Sequence, residues 1–515
     1  MSRRDLRAPL SRREFLQLVA TSAAVVTAGS ACPGGVALPD WPFTLGVASG
    51  DPLADRVVIW TRLAPDPLAL DGLGGMPDVT VPVWWEVAHD EAFRSIVRSG
   101  VAIAHPSLAH SVHVDVNGLE PDRWYFYRFH AAGHVSPVGR MRTFPRPDQA
   151  PALARFVTAS CQHFASGYYT AHAAIAEEDL DFVAFLGDYI YESGGTGPVR
   201  SHVIGRVENL AGYRHRYALY KSDANLQAAH LLCPWIITWD DHEVANNYAG
   251  DFFDENATPP QLPFLELRAA AYQAWYEHQP VRVLPPKGSG DFRIYRGFDY
   301  GDLARILVLD TRQYRSDQDC GDVIGPDCAT FPNPNGTMLG AAQEAWVFDR
   351  LDASQALWNV LAQQVVFSPT PIGALRNFDQ WDGYPLARQR IVDFLVDAAI
   401  RNPVILTGDI HSAGAGWLPR DTTGLTGPLA SEFVATGISS TFPEALAQLA
   451  KDIIEALPHV SFFDPFGRGY CRHELARDRW RTDFRVVSTT TQPVATVSTA
   501  ASFVVEDGNP VPQPA

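Results

Sequence analysis

The chain has 515 residues, of which 46% are hydrophobic and 19% charged, and its formal net charge is −17. This length exceeds one ordinary hydrophobic core, so two domains are expected. The acidic balance argues against a nucleic-acid-binding surface, which needs a surplus of lysine and arginine. It does not argue against an anionic substrate, because bound cations could make the potential of the site positive locally.

The first residues have the pattern of an export signal. Arg12 and Arg13 precede an apolar stretch, residues 18–28, which ends in small residues. This order predicts a twin-arginine signal peptide over residues 1–32, read by the twin-arginine export machinery, and a periplasmic or extracellular location. The stretch is too short for a membrane span, and no longer apolar run follows it. Cys32 weakly resembles a lipoprotein acylation site, which leaves attachment to the cell surface open.

Residues 40–145 are predicted to form an all-β sandwich. Short, alternating, β-rich segments are punctuated by Gly, Pro and Asp. These segments are Val57–Thr61, Val81–Val87, His113–Val116 and Trp124–Phe129. Leu119-Glu120-Pro121 followed by Tyr125 resembles the tyrosine corner of a fibronectin-type sandwich. The sequence of this domain has no cluster of His, Cys and carboxylates, so its predicted role is structural or substrate-shaping.

A proline-rich linker, residues 144–151, precedes a second domain over residues 150–490. Apolar strand-like runs alternate there with helical segments, residues 343–351 and 388–400, which predicts an α/β domain. Residues 491–515 are predicted to be a strand followed by a loose tail.

Cysteine usage agrees with an oxidising destination. Cys320 and Cys328 enclose a short loop rich in Gly, Asp and Pro, and a disulfide is expected between them. Cys233 and Cys471 stand in apolar, strand-like contexts and are expected to be buried.

Four strand-like runs of the second domain each lead into a cluster of potential metal ligands. The clusters are Ser160-Cys161-Gln162-His163, Gly187-Asp188-Tyr189-Ile190-Tyr191-Glu192, Asp240-Asp241-His242-Glu243 and Gly408-Asp409-Ile410-His411. The carboxyl ends of strands in an open α/β sheet meet at one crevice. One such cluster could be a turn with a capping aspartate, but four at matching positions indicate carboxylates gathered around cations.

The types of ligand indicate which cations these are. A thiolate and a phenolate, from Cys161 and Tyr191, favour Fe(III), with Asp188 and His411 completing much of its shell. The carboxylates of Asp188, Asp241 and Asp409 could hold Ca(II) beside the iron. Calcium needs more oxygens than these side chains offer, so water, backbone carbonyls or substrate phosphate must supply the rest.

The four clusters resemble the motifs of calcineurin-like metallophosphoesterases, which read Asp-x-His, Gly-Asp-x-x-Asp/Tyr, Gly-Asn-His-Glu/Asp and Gly-His-x-His. The substitutions in this chain, the export pattern, the N-terminal sandwich and the phrase Thr238-Trp239-Asp240-Asp241-His242-Glu243 resemble the alkaline phosphatase D family. The resemblance covers nearly the whole chain after the signal.

The resemblance implies a four-layer αββα catalytic domain that holds one Fe(III) and two Ca(II). The implied iron ligands are Cys161, Asp188, Tyr191 and His411, and the implied calcium ligands are Asp188, Asp241 and Asp409. One superfamily element is absent. After a predicted strand, Gln364–Phe367, where a further ligand histidine often sits, the chain reads Ser368-Pro369-Thr370-Pro371. This leaves the ligands of the second calcium unassigned.

The predicted function is therefore an exported phosphoesterase acting on small-molecule or lipid phosphate monoesters, diesters or both, by a metal-activated water or oxide. Asp241 and His242 are the predicted catalytic residues. His242 would bind a phosphate oxygen or protonate the leaving group, or else only hydrogen-bond Asp240 or Glu243.

Other side chains are weaker candidates. Gln162 and His163 are expected to support the site, Arg312 to form a cap or structural ion pair, and the helical face of Arg268, Tyr272 and Tyr276 to pack. Asn246 and Asn247 could supply oxygen ligands.

Three alternatives to this function stay open. One is a phospholipase D-like phosphodiesterase acting on lipid headgroups with the same centre. Another is a calcium-binding extracellular adhesion protein, which would have no evident need for Cys161 and Tyr191. An iron oxidase would usually carry two histidines and a carboxylate as ligands, and the sequence does not show that set.

Overall fold

A computed structural model describes residue 38 and residues 40–254, 258–288, 292–321 and 324–515. The predicted signal peptide and Cys32 lie outside the described residues. In the part of the chain that the structure describes, we find no helix whose length and apolar character suffice to cross a membrane.

Eight strands build the N-terminal region. They are β1 (Val47–Gly50), β2 (Arg56–Arg62), β3 (Val81–Ala88), β4 (Ile96–Ala104), β5 (Ser111–Asn117), β6 (Trp124–Ala131), β7 (His134–Val135) and β8 (Gly139–Arg142). One sheet has the order β1-β2-β5, and the other has the order β4-β3-β6-β7 with β8 paired to β6. Alternate side chains such as Ile59 and Tyr127 fill the core between the sheets. The hydroxyl of Tyr125 accepts the Glu120 N–H at 2.9 Å, which confirms the tyrosine corner.

The second region contains sixteen strands and seven α-helices among the described residues. The strands are β9 (Leu153–Ala159), β10 (Phe182–Leu186), β11 (Trp235–Thr238), β12 (Arg296–Tyr300), β13 (Ala304–Val308), β14 (Ile324–Pro326), β15 (Trp358–Ala362), β16 (Leu375–Asn377), β17 (Pro403–Thr407), β18 (Ala413–Asp421), β19 (Thr426–Val434), β20 (Val460–Asp464), β21 (Gly469–Ala476), β22 (Arg479–Val487), β23 (Val497–Glu506) and β24 (Asn509–Pro514). The helices are α1 (Thr170–Ile175), α2 (Leu210–Lys221), α3 (Ala224–Leu232), α4 (Phe264–His278), α5 (Gly340–Asp352), α6 (Pro385–Asp397) and α7 (Glu444–Ile454).

Two large sheets face each other in this region. The first has the order β24-β23-β22-β21-β9-β10-β11-β1-β2-β5, and the second has the order β12-β13-β15-β17-β19-β18-β20. Phe156 and Phe182 of the first sheet share a core with Val360 and Phe433 of the second. Helices α1 to α4 pack on the outer face of the first sheet, and α5 and α6 pack on the second. This arrangement is the expected four-layer αββα domain.

The strands that lead into the ligand clusters each have parallel neighbours, and β10, β11 and β17 are buried along their whole length, whereas β9 is buried over its last four residues. The strands β9, β10 and β11 are neighbours in the first sheet, whereas β17 belongs to the second. A parallel strand covered on both faces needs apolar side chains at every position, which explains the unbroken apolar runs in the sequence. The clusters therefore meet between two sheets, where a single-sheet crevice was expected.

The N-terminal region is joined to the second region by more than its linker. Gly50 in β1 pairs in parallel with Trp235 in β11, so one sheet of the sandwich continues into the first large sheet. The buried carboxylate of Asp51 contacts the guanidinium of Arg296 at 2.7 Å. A Cβ at Gly50 would lie 2.2 Å from the carbonyl oxygen of Pro280, so this close approach requires glycine.

Most local expectations are confirmed. Helices α5 and α6 occupy the two predicted helical segments, and Cys320 and Cys328 form a disulfide. Cys233 and Cys471 are buried.

Two further expectations are wrong. No strand forms over residues 364–367, and the preceding strand, β15, ends at Ala362. The backbone turns here because the buried Gln364 side chain donates to Thr238 Oγ1 at 2.9 Å. The segment predicted as a loose tail is strand β24, which pairs with β23 at the sheet edge.

Candidate metal centre

The four ligand clusters lie in sharp turns at the carboxyl ends of β9, β10, β11 and β17. Cys161, Asp188, Asp409 and His411 adopt φ values of 58°, 57°, 62° and 56°. Residues other than glycine rarely adopt this left-handed conformation, which costs of order 1–3 kcal/mol each and clusters at functional sites. Gly187 permits the second turn, because a Cβ there would lie 2.4 Å from the Cβ of Asp240.

The first candidate group combines sulfur, nitrogen and oxygen donors. Donor atoms of Cys161, Asp188 and His411 lie within 4.8 Å of one another. The Tyr191 hydroxyl donates to Asp188 Oδ2 at 2.7 Å and lies 3.0 Å from His411 Nε2. Burial, reinforced by the charge of Asp188, raises the pKa of the Cys161 thiol. A thiolate at this place therefore needs a cation beside it.

Two further groups contain mainly carboxylates. Asp188, Asp241 and His242 form one, and Asp240, Asp241 and Asp409 form the other, again within 4.8 Å. The buried oxygens Asp188 Oδ1 and Asp240 Oδ2 accept no hydrogen bond from any described residue. Burial also raises the pKa of Asp188 and of Asp409 to about 7 each. Buried carboxylate oxygens without partners fit a site that is completed by cations.

Glu243 holds two of the ligand turns together. Its buried carboxylate accepts the N–H groups of Asp188 at 3.0 Å, Tyr189 at 2.6 Å and Asp240 at 2.8 Å. The turns after β10 and β11 are thereby tied to one side chain. Glu243 orients the ligands through the backbone and is not a ligand in any candidate group.

Arg312 lies closer to the centre than the sequence suggested. Its fully buried guanidinium contacts Asp240 through Nε and contacts both oxygens of Asp379, at 2.5 and 2.9 Å. It also donates to Asp409 Oδ1 at 3.3 Å. The expected ion pair is therefore present, and it neutralises part of the negative charge of the site. Asp379 was not predicted, since it lies two residues after the three-residue strand β16, which has no signal in the sequence, and belongs to no recognisable motif.

His242 is held at the edge of the centre by a partner that was also not predicted. Its Nδ1 lies 2.7 Å from Glu192 Oε2, and its ring centroid lies 4.1 Å from that of Tyr191. This partner replaces the Asp240 or Glu243 contact that the sequence left open. Burial lowers the pKa of His242, but the carboxylates of Glu192, Asp241 and Asp188 outweigh it and hold the pKa well above its usual value. The side chain is 15% exposed and can meet a substrate.

The loop after β19 supplies contacts that had no signal in the sequence. Ser440 Oγ donates to the Tyr191 hydroxyl at 2.7 Å, and the Ser440 N–H donates to the carbonyl of Cys161. His411 Nδ1 lies 3.2 Å from the carbonyl oxygen of Thr441. Since a carbonyl only accepts, Nδ1 carries the proton and Nε2 keeps a lone pair that could bind a cation.

Gln162 and His163, two of the weaker candidates, hold neighbouring groups in place by hydrogen bonds and packing. His163 Nδ1 lies 2.6 Å from Ser166 Oγ, and its ring packs on the edge of Tyr191. Gln162 donates from Nε2 to the carbonyl oxygen of Tyr189, and its Oε1 lies 2.6 Å from His172 Nε2.

The remaining weak candidates also act through packing or the backbone. The N–H groups of Asn246 and Asn247 donate to Glu192 and Asp241, at 3.1 and 2.7 Å. Tyr272 stacks on Trp239 at 4.3 Å, as expected for a packed helix face.

Comparisons with known proteins show which family the chain belongs to. Residues 156–484 match the PhoD-like phosphatase family, and residues 30–145 match the N-terminal domain of PhoD-like phosphatases. Alkaline phosphatase D of Bacillus subtilis (strain 168) is 48% identical over 478 residues, which cover 90% of this chain and 81% of that protein. A solved structure titled "Structure of PhoD" has a TM-score of 0.88 at 46% identity and covers 94% of this chain and 93% of its own. The chain belongs to the PhoD-like phosphatase family and is a phosphoesterase.

The cation-free protein should lose stability as the pH rises. In the unfolded chain the pKa of an aspartate is about 4, whereas burial holds the pKa of Asp188 and Asp409 at about 7 in the fold. Between these values the folded state binds more protons, so its free energy of unfolding falls as the pH rises from about 4 to about 7. Bound cations would stabilise the ionised carboxylates and reduce this fall.

Urea unfolding across this pH range measures the difference. The comparison uses chelated protein and the same protein reloaded with iron and calcium, so that all other titrating groups are common to both. Identical pH profiles would contradict a cation site at these carboxylates.

Proposed function

We propose that this phosphoesterase hydrolyses phosphate monoesters, diesters or both, outside the cytoplasm, with a centre of Fe(III) and Ca(II). One observation carries the proposal: Asp188 belongs both to the group with Cys161 and His411 and to the group with Asp241. Two donor sets of different chemical softness therefore share one carboxylate. Phosphoryl transfer needs such closely spaced positive charge.

The donor types support the assignment of the ions. The sulfur, imidazole and phenol donors of Cys161, His411 and Tyr191 suit ferric iron, and the carboxylates of Asp241 and Asp409 suit calcium. Asp188 would bridge the two. The guanidinium of Arg312 already contacts Asp240 and Asp409. The candidate group of Asp240, Asp241 and Asp409 therefore has less uncompensated negative charge with which to bind a second calcium ion.

The chain's own residues bind and protonate the substrate. When bound, the cations supply Lewis acidity to the phosphate oxygens and make a water molecule nucleophilic near neutral pH. The Glu192 carboxylate accepts Nδ1–H of His242, which leaves the protonated Nε2 to donate to a phosphate oxygen or to the departing alcohol oxygen. Asp241 Oδ1 accepts the His242 N–H at 2.9 Å and so positions this residue beside the centre.

The alternatives are not equally supported. A phosphodiesterase acting on lipid headgroups would use the same centre, so it remains a version of this proposal. The adhesion alternative has no support from the family membership, and a structural calcium site would not need the buried thiol of Cys161.

Export is proposed from the sequence. If Arg12 and Arg13 form a twin-arginine signal, changing both to lysine should retain the enzyme in the cytoplasm. The measurement is phosphatase activity in cytoplasmic and extracytoplasmic fractions, with Arg3→Lys/Arg4→Lys as the matched control. Normal export of the Arg12→Lys/Arg13→Lys variant would overturn this part of the proposal.

His242→Asn should lower kcat by about 100-fold or more, because a positioned acid is lost, while iron and calcium content stay unchanged. Assays should use p-nitrophenyl phosphate and bis(p-nitrophenyl) phosphate, with and without chelator, so that ester preference and cation dependence are read together. Loss of iron in this variant would instead identify His242 as a ligand. Activity that survives complete chelation would contradict the proposed function.

Glu192→Gln tests how His242 is kept protonated. Removing the carboxylate should lower the pKa of His242 and shift the alkaline limb of the kcat/KM profile to lower pH by about one unit or more. Glu474→Gln is a matched control, since Glu474 lies on the surface beside Arg155. An unshifted profile in Glu192→Gln would show that His242 is not the titrating acid.

A further inference from the structure

An apolar cavity of about 130 Å³ lies beside the metal centre. Strands β18, β19 and β20 form one side, with Gly414, Val434 and Phe463 among the lining residues, and helix α7 forms another through Ala450 and Ile454. Most of the lining consists of aliphatic and aromatic side chains and glycine.

Several lining residues of the cavity contact or neighbour the candidate ligands. Gln380 lines it and donates from Nε2 to Asp409 Oδ2 at 2.7 Å. Ile410 also lines it and stands between the candidate ligands Asp409 and His411. Phe442 follows Thr441, the residue that contacts His411. The lining therefore shares residues with the immediate surroundings of the candidate ligands Asp409 and His411.

Two buried polar atoms in the lining lack a hydrogen-bond partner among the described residues. They are Ser368 Oγ and His459 Nδ1. His459 Nε2 lies 2.8 Å from the carbonyl oxygen of Pro369, so Nε2 carries the proton and Nδ1 is a free acceptor. An unpaired polar group in an apolar cavity is costly unless a ligand supplies its partner.

We infer that this cavity receives the apolar alcohol part of a phosphate ester, namely an alkyl chain with one hydroxyl or amide group that pairs with Ser368 or His459. The inference rests on the proposed function, which places the phosphate at the cations. In the reaction, water attacks phosphorus and the P–O bond to the alcohol breaks. The departing oxygen takes the proton of His242, and the alcohol remains in the cavity until it dissociates.

The test is the dependence of hydrolysis on chain length. Methyl, butyl and octyl phosphates, and the corresponding dialkyl phosphates, are compared by the rate of alcohol release. KM should fall about two- to fourfold for each added methylene until the cavity is full, because each buried methylene contributes hydrophobic binding. Chain-length-independent KM values would overturn the inference. No hydrolysis of any ester would instead refute the proposed function.

A matched pair of variants on α7 locates the effect. Ala450→Phe fills the cavity from its wall, whereas Ala445→Phe makes the same change at an exposed position of the same helix. Ala450→Phe should raise KM for octyl phosphate at least about tenfold and leave methyl phosphate unaffected, and Ala445→Phe should match the parent enzyme. Equal effects of Ala450→Phe on both esters would contradict the inference.

Octanol gives a readout that does not depend on turnover. It should raise the melting temperature of the parent enzyme and of Ala445→Phe, but not of Ala450→Phe. The same shift in all three proteins would place octanol elsewhere and overturn the inference.

A separate experiment distinguishes an ester in a membrane surface from one dissolved in water. Leu446 and Leu449 of α7 are 52% and 59% exposed, close to the cavity wall. If the double change Leu446→Ser/Leu449→Ser reduces hydrolysis of phosphatidylcholine vesicles but not of octyl phosphate, the ester comes from a membrane surface. If both are unaffected, the substrate is a freely dissolved amphiphile.

Discussion

The burial of several carboxylates at the junction of two sheets is the constraint on which this structure depends. Asp188 and Asp240 lie in the interior and Asp409 is partly buried, and two of the oxygens of Asp188 and Asp240 meet no donor among the described residues. Such charge is tolerated only beside cations. The chain supplies part of the compensation through Arg312. Bound metal ions would supply the rest, and this requirement is also the origin of the chemistry.

The fold holds these groups in place against local strain. Four ligand-bearing residues adopt left-handed backbone conformations, which a flexible loop would relax. Rigid parallel strands precede each turn, and Glu243 binds two of the turns through three N–H groups. Ser440 and Thr441 add contacts from the second sheet. The αββα arrangement is therefore needed for the centre as well as for the core.

Much of the fold and of the candidate centre was predictable, because both depend on residues that form recognisable local patterns in the amino-acid sequence. Buried parallel strands read as apolar runs, and each run ends where its turn begins, so Cys161, Asp188, Asp241 and His411, whose side chains the structure brings together in candidate groups, could be selected by position and residue type. Residues that act across long sequence separations were not found. Asp379 and Ser440 belong to loops without a pattern, and Glu192 could be recognised as the partner of His242 only in three dimensions. The prediction of a strand at residues 364–367 was wrong because an apolar run can also form a buried turn.

Metal analysis of the purified protein tests the central claim most directly. We predict that iron and calcium occur together, and that the protein absorbs visible light because thiolate and phenolate donors bind ferric iron. Cys161→Ser should change that absorption, while the matched change Cys471→Ser, at a buried cysteine outside the candidate groups, should not. A colourless protein that holds only zinc or magnesium would contradict the claim.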